Sequence, residues 1–429
     1  MTTGRREPSS TLAALFDGRL SRRQALRAFA ALGIGAGGTS LGSARARADD
    51  AGQLLGPGGI PLARPDGPVT LPRFEDPIAS GLKPETGGTF NVFNYADYVD
   101  PKLMQAFGKK YDVEVLLTSF DSIEEAITKL ASGTIQMDVT EITNNRIAQA
   151  VAGKLLKPIN HDYILNLKKN VWPFLQSPFY DVGSRYSVPY TIYTTGIGWR
   201  SDKVAEDIYK LDNPWSIFWN AQKYAGYMAV LDDSREALAL AMLYRRHYDL
   251  NTEDPAVIDR ALADLLALIP ICNPKINTTG YQTLPQGVSW LNHTWSGNIL
   301  TSIFYNLPKG FDPTLLQYWA PPRGKGPIQN DMWAVSATAK KPVLAHLWLN
   351  FLLDEGNAYH NFVDFNGYQP PINSITPQAL IDQKLIPANL KAAVLSPDDF
   401  GPGLLEESQL TSQGQKLWQN AFARFTAGG

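Results

Sequence analysis

Ser187-Val188-Pro189-Tyr190-Thr191-Ile192-Tyr193-Thr194-Thr195-Gly196-Ile197-Gly198-Trp199 is a long β-branched and aromatic run interrupted by small residues. Such side chains fit a pleated, half-buried surface, and glycines inside a strand mark a bend or a close backbone approach. The run reads as a strand that crosses between two lobes and bends there. Outward from it, Thr89–Asn94, Val113–Leu117, Met137–Val139 and Ala225–Leu231 read as further buried strands. Helices fall between and after them. One starts at Pro101, with proline in its first turn. Ser122-Ile123-Glu124-Glu125 is a capping-box signature opening a helix to about Ser132, stopped by Gly133. Others are expected at 144–152, 235–247, 255–268, 296–305, 342–353 and 413–425. The alternation predicts an α/β fold with a mostly parallel sheet and helices on both faces. In such sheets ligands bind outside the carboxyl ends of the strands, so post-strand residues are the first candidates for a site.

The chain has 429 residues, more than one hydrophobic core usually serves, so two lobes are expected. No apolar run is long enough to cross a bilayer. A single cysteine, Cys272, excludes an intrachain disulfide and every multi-cysteine metal or cluster site; it reads as a small buried apolar residue. Residues 1–48 hold eight arginines and two acids. Arg22-Arg23, a short glycine-rich apolar run from Ala28 to Gly38, and Ala46-Arg47-Ala48 follow one another as the parts of a secretory signal. The arginine pair indicates the twin-arginine route, with cleavage near Ala48. Without this segment 31 basic residues face 39 acidic ones, a net of −8. That balance disfavours nucleic acid and suits a cationic partner. Residues 49–87, punctuated by prolines and glycines, read as an extended linker.

Five fragments carry a resemblance: Asn94-Tyr95-Ala96-Asp97-Tyr98-Val99-Asp100-Pro101, Ser187-Val188-Pro189-Tyr190, Leu231-Asp232-Asp233-Ser234-Arg235-Glu236, His293-Thr294-Trp295-Ser296-Gly297-Asn298 and Asn366-Gly367-Tyr368. In this order and spacing they resemble the spermidine/putrescine-binding family of periplasmic solute-binding proteins, from about Gly88 to Tyr368. The resemblance implies a two-lobed periplasmic-binding-protein fold of type II with a ligand cleft between the lobes. It implies lobe one from residues 88–192 and 325–372, and lobe two from 193–324 and 373–429. It also implies a small cationic, polyamine-like ligand, an inner-membrane ABC permease as partner, a monomer, and neither cofactor nor metal.

The acidic contacts of that family correspond to Asp233, Glu236 and Asp331, and its aromatic contacts to Tyr95, Tyr98, Trp295 and Tyr368. Thr143 and Asn145 correspond to wall positions in a loop before a helix. The chain departs from the pattern at Tyr95, where tryptophan is common, at Gln329, where tryptophan often stands two residues before the cleft aspartate, and at Asn145, where the family has tyrosine. One side of the cleft is therefore expected to be more polar. The residue types fit the chemistry independently. A polyamine needs carboxylates at its nitrogens and flat aromatic faces along its methylenes. Asp233 and Glu236 also fit the acid-rich first turn of a helix, a purely structural role.

An exported enzyme is the rival from another class. The sequence offers no Cys-x-x-Cys, no glycine-rich dinucleotide fingerprint, no phosphate-binding loop and no His-Glu-x-x-His. Its five histidines (161, 247, 293, 346 and 360) have no ligand spacing, and His293 reads as a structural hydrogen-bonding residue. Ferric-ion capture by adjacent tyrosines has no Tyr-Tyr pair to use, and an anion would meet acids. A sugar or amino sugar, held by aromatics and carboxylates, is the runner-up. Export through the twin-arginine route has a direct test. Lysine at both positions 22 and 23 should leave unprocessed precursor inside the cell; unchanged export in cells lacking that machinery would contradict the reading.

Overall fold

In the computed structural model, which describes residues 54–429 other than 221, 402 and 429, Ser187–Arg200 is one continuous strand of 14 residues. The expected export segment, residues 1–48, lies outside the described residues. Among those described, ten strands form a single sheet: β1 (Thr89–Tyr95), β2 (Glu114–Phe120), β3 (Val139–Thr143), β4 (Leu156–Lys157), β5 (Ser187–Arg200), β6 (Met228–Val230), β7 (Lys275–Ile276), β8 (Leu291–Trp295), β9 (Leu316–Trp319) and β10 (Ile328–Ser336). Their order is β2-β1-β3-β10-β5-β8-β6-β7, with β4 on β10 and β9 on β5.

β5 joins two halves of this sheet. It pairs with β10 as far as Thr194 and with β8 from Thr195 onward. The chain is thus α/β and two-lobed, and the lobes share one strand. The sheet is mixed rather than mostly parallel. β1 with β2 and β3, and β6 with β7 and β8, run parallel, whereas every pairing of β5 and β10 is antiparallel. The reason is topological: strands that carry the chain across run against the βα units on either side.

Two large apolar clusters flank the crossing. One gathers Phe90, Val92, Phe107, Tyr190, Trp333 and Trp348, and takes in Ile375 to Leu404 as well as Leu316 and Tyr318. The other gathers Ile197, Trp199, Phe218, Val230, Leu265, Trp418 and Phe425. The segment 404–410 passes from the first to the second: Leu404 is buried in one, Leu410 in the other, and Leu405 accepts from the Ile328 amide at the crossing. Gly196 is required by proximity. A Cβ there would lie 2.2 Å from the Trp319 carbonyl oxygen, so glycine lets β9 dock on β5.

The helices follow the local signals. Ser122 Oγ accepts from the Glu125 amide at 3.3 Å, and Glu125 Oε2 accepts from the Asp121 amide at 2.9 Å, one residue earlier than a full capping box. Glu85 accepts from the Val343 and Leu344 amides and so caps the helix Pro342–Leu352. Cys272 is buried, its thiol pushed up to about 11 by burial, as expected of a packed, inert cysteine.

The stretch read as a linker is not a free tether. Ile60, Ala63, Val69 and Leu71 are buried against Ile142, Met332 and Ala334 on the sheet and Ile147 at the start of the following helix. Prolines remove amide donors from this segment, so it docks largely through its carbonyls. Leu71 accepts from Arg185, Pro72 from Tyr186, Ile78 from Asn160 and Ala79 from Tyr163.

Candidate functional site

The carboxyl ends of β1, β3 and β8, the turn after β6, and the middle of β5 and β10 meet at the crossing. Asp331 on β10 lies opposite Thr143 on β3 and Thr191 on β5. It is buried and holds three hydroxyls: Oδ2 accepts from Tyr98 at 2.5 Å and Thr191 at 3.2 Å, and Oδ1 from Tyr193 at 3.3 Å. Burial raises its pKa to about 6, against the pull of those hydrogen bonds.

Glu236 stands across the crossing. β6 ends at Val230, and Asp233 caps the helix Ser234–Tyr244, its Oδ1 accepting from the Arg235 and Glu236 amides at 2.8 and 3.1 Å. The cap fixes Glu236 in the first turn, pointing back at β5. Its Oε1 accepts from Trp295 Nε1 at 2.7 Å and Thr195 Oγ1 at 2.8 Å, and its Oε2 has no partner. Burial, then the Asp233 charge, raises it to about 7.

A chain of rings joins these carboxyls. Tyr95 and Tyr98 meet at 6.0 Å between centroids, Tyr98 and Tyr368 at 5.4 Å, Tyr368 and Tyr193 at 5.8 Å, and Tyr193 and Trp295 at 6.0 Å, all edge to face. Tyr98 and Tyr193 donate to Asp331; Trp295 donates to Glu236. Two sequence fragments acquire a packing reason here. A Cβ at Gly297 would lie 2.4 Å from the Tyr368 ring, so only glycine leaves that ring its seat. Tyr368 then donates to Asn298 Oδ1 at 3.0 Å, while Asn366 accepts from the Tyr368 amide and donates to the Tyr98 carbonyl.

The remaining expected residues are placed less uniformly. Asp233 is half-buried and its Oδ1 is spent on the helix cap, as the structural alternative requires; Oδ2 makes no hydrogen bond. Thr143 donates to Asn145 at 2.8 Å, so these two are first of all each other's partners. Gln329 belongs to a polar network in which Asn144 Nδ2 donates to it, to Glu406 and to the Glu407 carbonyl. His293 does not do what its sequence setting implied. It is buried edge-on to Trp215, its Nδ1 has no partner, and its Nε2 stands 4.0 Å from Glu236, beyond hydrogen-bond reach. Burial lowers its pKa to about 3, so the ring is neutral.

Three carboxyls escaped the sequence reading. Glu406 and Glu407 lie buried on the crossing segment 404–410; burial raises Glu406 to about 8, and burial with the Glu236 charge raises Glu407 well above its usual range. Glu141, on β3, is wholly buried with neither oxygen bonded. A glutamate inside the β-branched run Val139–Thr143 was the one available signal. Arg235, donating to the Ser408 and Leu250 carbonyls and stacked on Trp418, is a buried cation whose charge acts on Glu407. A separate cavity of about 640 Å³ lies behind the crossing, lined by Thr194, Ile328, Tyr209 and Lys391; none of the cleft carboxyls reaches it. Among the described residues no group of three or more His, Cys, Asp or Glu side chains is placed to hold a metal ion, and no helix is long and apolar enough to cross a membrane.

Residues 102–388 match the bacterial extracellular solute-binding proteins. The chain belongs to that family. It is 26% identical over 273 residues to the putrescine/cadaverine-binding protein of Pseudomonas aeruginosa, covering 62% of this chain and 75% of that one. It is also 26% identical over 272 residues to spermidine/putrescine-binding periplasmic protein 1 of Haemophilus influenzae, covering 63% and 72%. Its fold matches a solved structure described as a putative spermidine/putrescine ABC transporter from Listeria monocytogenes, with TM-score 0.67 and 22% identity, over 79% of this chain and 98% of that one. These relatives of a solute-binding family are named as binding proteins, not as enzymes.

The buried acids make stability depend on pH in a definite direction. Unfolded carboxyls titrate near pH 4, whereas Asp331, Glu236 and Glu406 titrate at about 6, 7 and 8 in the fold. Their contribution is full below about pH 4 and is lost as pH rises through those values. Protein freed of ligand should therefore melt at a lower temperature at pH 8 than at pH 5. An equal or higher melting temperature at pH 8, by calorimetry at constant salt, would contradict this placement of the acids.

Proposed function

We propose that this chain is the solute-binding component of an ABC importer and that it captures a polyamine-like cation in the cleft at the β5 crossing. One observation carries the reading: two buried carboxyls, Asp331 and Glu236, joined by an unbroken chain of aromatic rings. That is the negative of an α,ω-diamine. A carboxylate at each end takes an ammonium through a charge-assisted hydrogen bond. Ring faces between them cover methylenes and add cation–π attraction of about 0.5–2 kcal/mol per ammonium. The named ligands of the relatives, putrescine, cadaverine and spermidine, are of this class.

The hinge in this reading is the partner change at Thr194–Thr195, with the β9–β10 connection and the segment 404–410 beside it. The Asp331 end belongs to one lobe and the Glu236 end to the other, so a bound dication ties them together and favours the closed form. The same reading places the mature chain in the periplasm after twin-arginine export and cleavage near Ala48. There it acts as a monomer without catalysis and delivers its ligand to an inner-membrane permease.

Site substitutions test the assignment. Losing one charged hydrogen bond costs about 1.5–3 kcal/mol, and 1.4 kcal/mol is tenfold in affinity. Asp331→Asn should weaken binding of putrescine or spermidine by about 10- to 100-fold, and Trp295→Ala should weaken it by loss of ring contact. Calorimetry with both amines and a neutral disaccharide decides. Unchanged amine affinity in Asp331→Asn, or tight binding of the disaccharide, would refute the cationic-ligand reading.

A further inference from the structure

Glu141 is the one cleft-side carboxyl with both oxygens unbonded, and it is wholly buried. On β3 it lies opposite Trp333, while Thr143 lies opposite Asp331. Residues paired or two apart share one face of a sheet, so Glu141 sits diagonally beneath Asp331 on the same face. Diagonal neighbours lie roughly 7–8 Å apart at the backbone, within reach of a long side chain. An ammonium placed between the two carboxyls can therefore touch both.

Counting hydrogen bonds shows why it would need to. An ammonium brings three N–H donors, and a carboxylate offers about four acceptor positions. Asp331 already spends three on Tyr98, Thr191 and Tyr193. It has room for about one more bond, and Glu141 has all of its own free. The groups whose charges act on Glu141 or feel it are Asp331, Tyr95 and Tyr190; no lysine or arginine is among them. Two N–H groups on the same face, Asn94 Nδ2 and Trp333 Nε1, also lack partners, and such donors suit a carboxylate. The same face thus carries N–H groups that can serve an anion at Glu141 but no countercharge.

We propose that Glu141 is a further specificity-determining residue, which with Asp331 forms a two-carboxyl seat for one unsubstituted primary ammonium of the ligand. The inference rests on the cationic-ligand reading above and adds a requirement to it. The Asp331 end accepts –NH3+ and rejects a quaternary ammonium, which carries the same charge without N–H donors.

Calorimetry on the mature chain with 1,4-diaminobutane and with its bis(trimethylammonium) analogue tests this, using wild type, Glu141→Gln, Glu141→Val and Asp331→Asn. Wild type should prefer the diamine by about tenfold or more. Both Glu141 variants should lose about tenfold or more in diamine affinity and lose most of that preference. Their melting temperature should stay level or rise, because the change removes an unpaired buried carboxyl. A purely structural Glu141 would behave in the opposite way, with melting temperature falling alongside affinity. Wild-type affinity and preference in both Glu141 variants, with Asp331→Asn impaired, would overturn this inference and leave the amine reading intact. No binding of either probe by wild type would overturn both.

Discussion

An unpaired carboxylate in a dry interior is among the costliest groups a protein can hold. This chain holds several around one strand crossing. Glu141, Glu407 and Glu236 each keep at least one oxygen with no partner, and Asp331 is satisfied by hydroxyls rather than by a cation. Without a ligand, that cost is lowered by the raised pKa values of these groups, which hold their protons to a higher pH than exposed carboxyls do. In the proposed reading a polycationic ligand meets it by supplying the missing charge, and the rest of the crossing serves that exchange. Rings line the path between the poles, the Asp233 cap aims Glu236, and the shared strand brings the poles together.

The lobe arrangement follows from the same constraint. A single rigid core could not bury these acids and also admit a ligand to them. One long strand that changes partner at Thr194–Thr195 keeps each pole on a sheet of its own. The docked segment 54–87 covers the face of β3 and β10 opposite Glu141 and Asp331, on two strands that lie inside the sheet. Gly196 and Gly297 are small for close packing at this joint, one under β9 and one under Tyr368.

Much of this was legible in the sequence because it depends on local rules. The helix caps and the strand–helix alternation follow from spacing, whereas Tyr95, Thr143, Glu236 and Trp295 stand out only through the family resemblance; the first, second and fourth close strands and Glu236 lies in a first helical turn. β10 could not. Its Gln329-Asn330-Asp331 interrupts the apolar pattern that marks a buried strand, and the interruption falls at the proposed site. β3 spans Val139–Thr143 where the sequence pattern predicts 137–139, because Thr140 and Glu141 dilute its apolar run. Glu406 and Glu407 sit on a segment with no periodicity, and only the fold carries them beside Gln329. The Pro- and Gly-rich stretch 54–87 reads as a spacer because docking through carbonyls leaves no sequence period. In each case a long-range contact overrode the local signal.

In the proposed reading burial raises the cleft's acids toward neutral pH, so that part of them carries protons, which a bound cation draws off. Calorimetric titration of the mature chain with putrescine at pH 6.5, in two buffers of different ionisation enthalpy, measures this directly. The diamine is fully protonated there and contributes no proton of its own. With Asp331 at about 6 and Glu236 at about 7 in the empty cleft, binding should release on the order of one proton per protein. The apparent binding enthalpy should then differ between the buffers in proportion. Tight putrescine binding with the same enthalpy in both buffers would show acids already ionised before the ligand arrives, and would contradict the account.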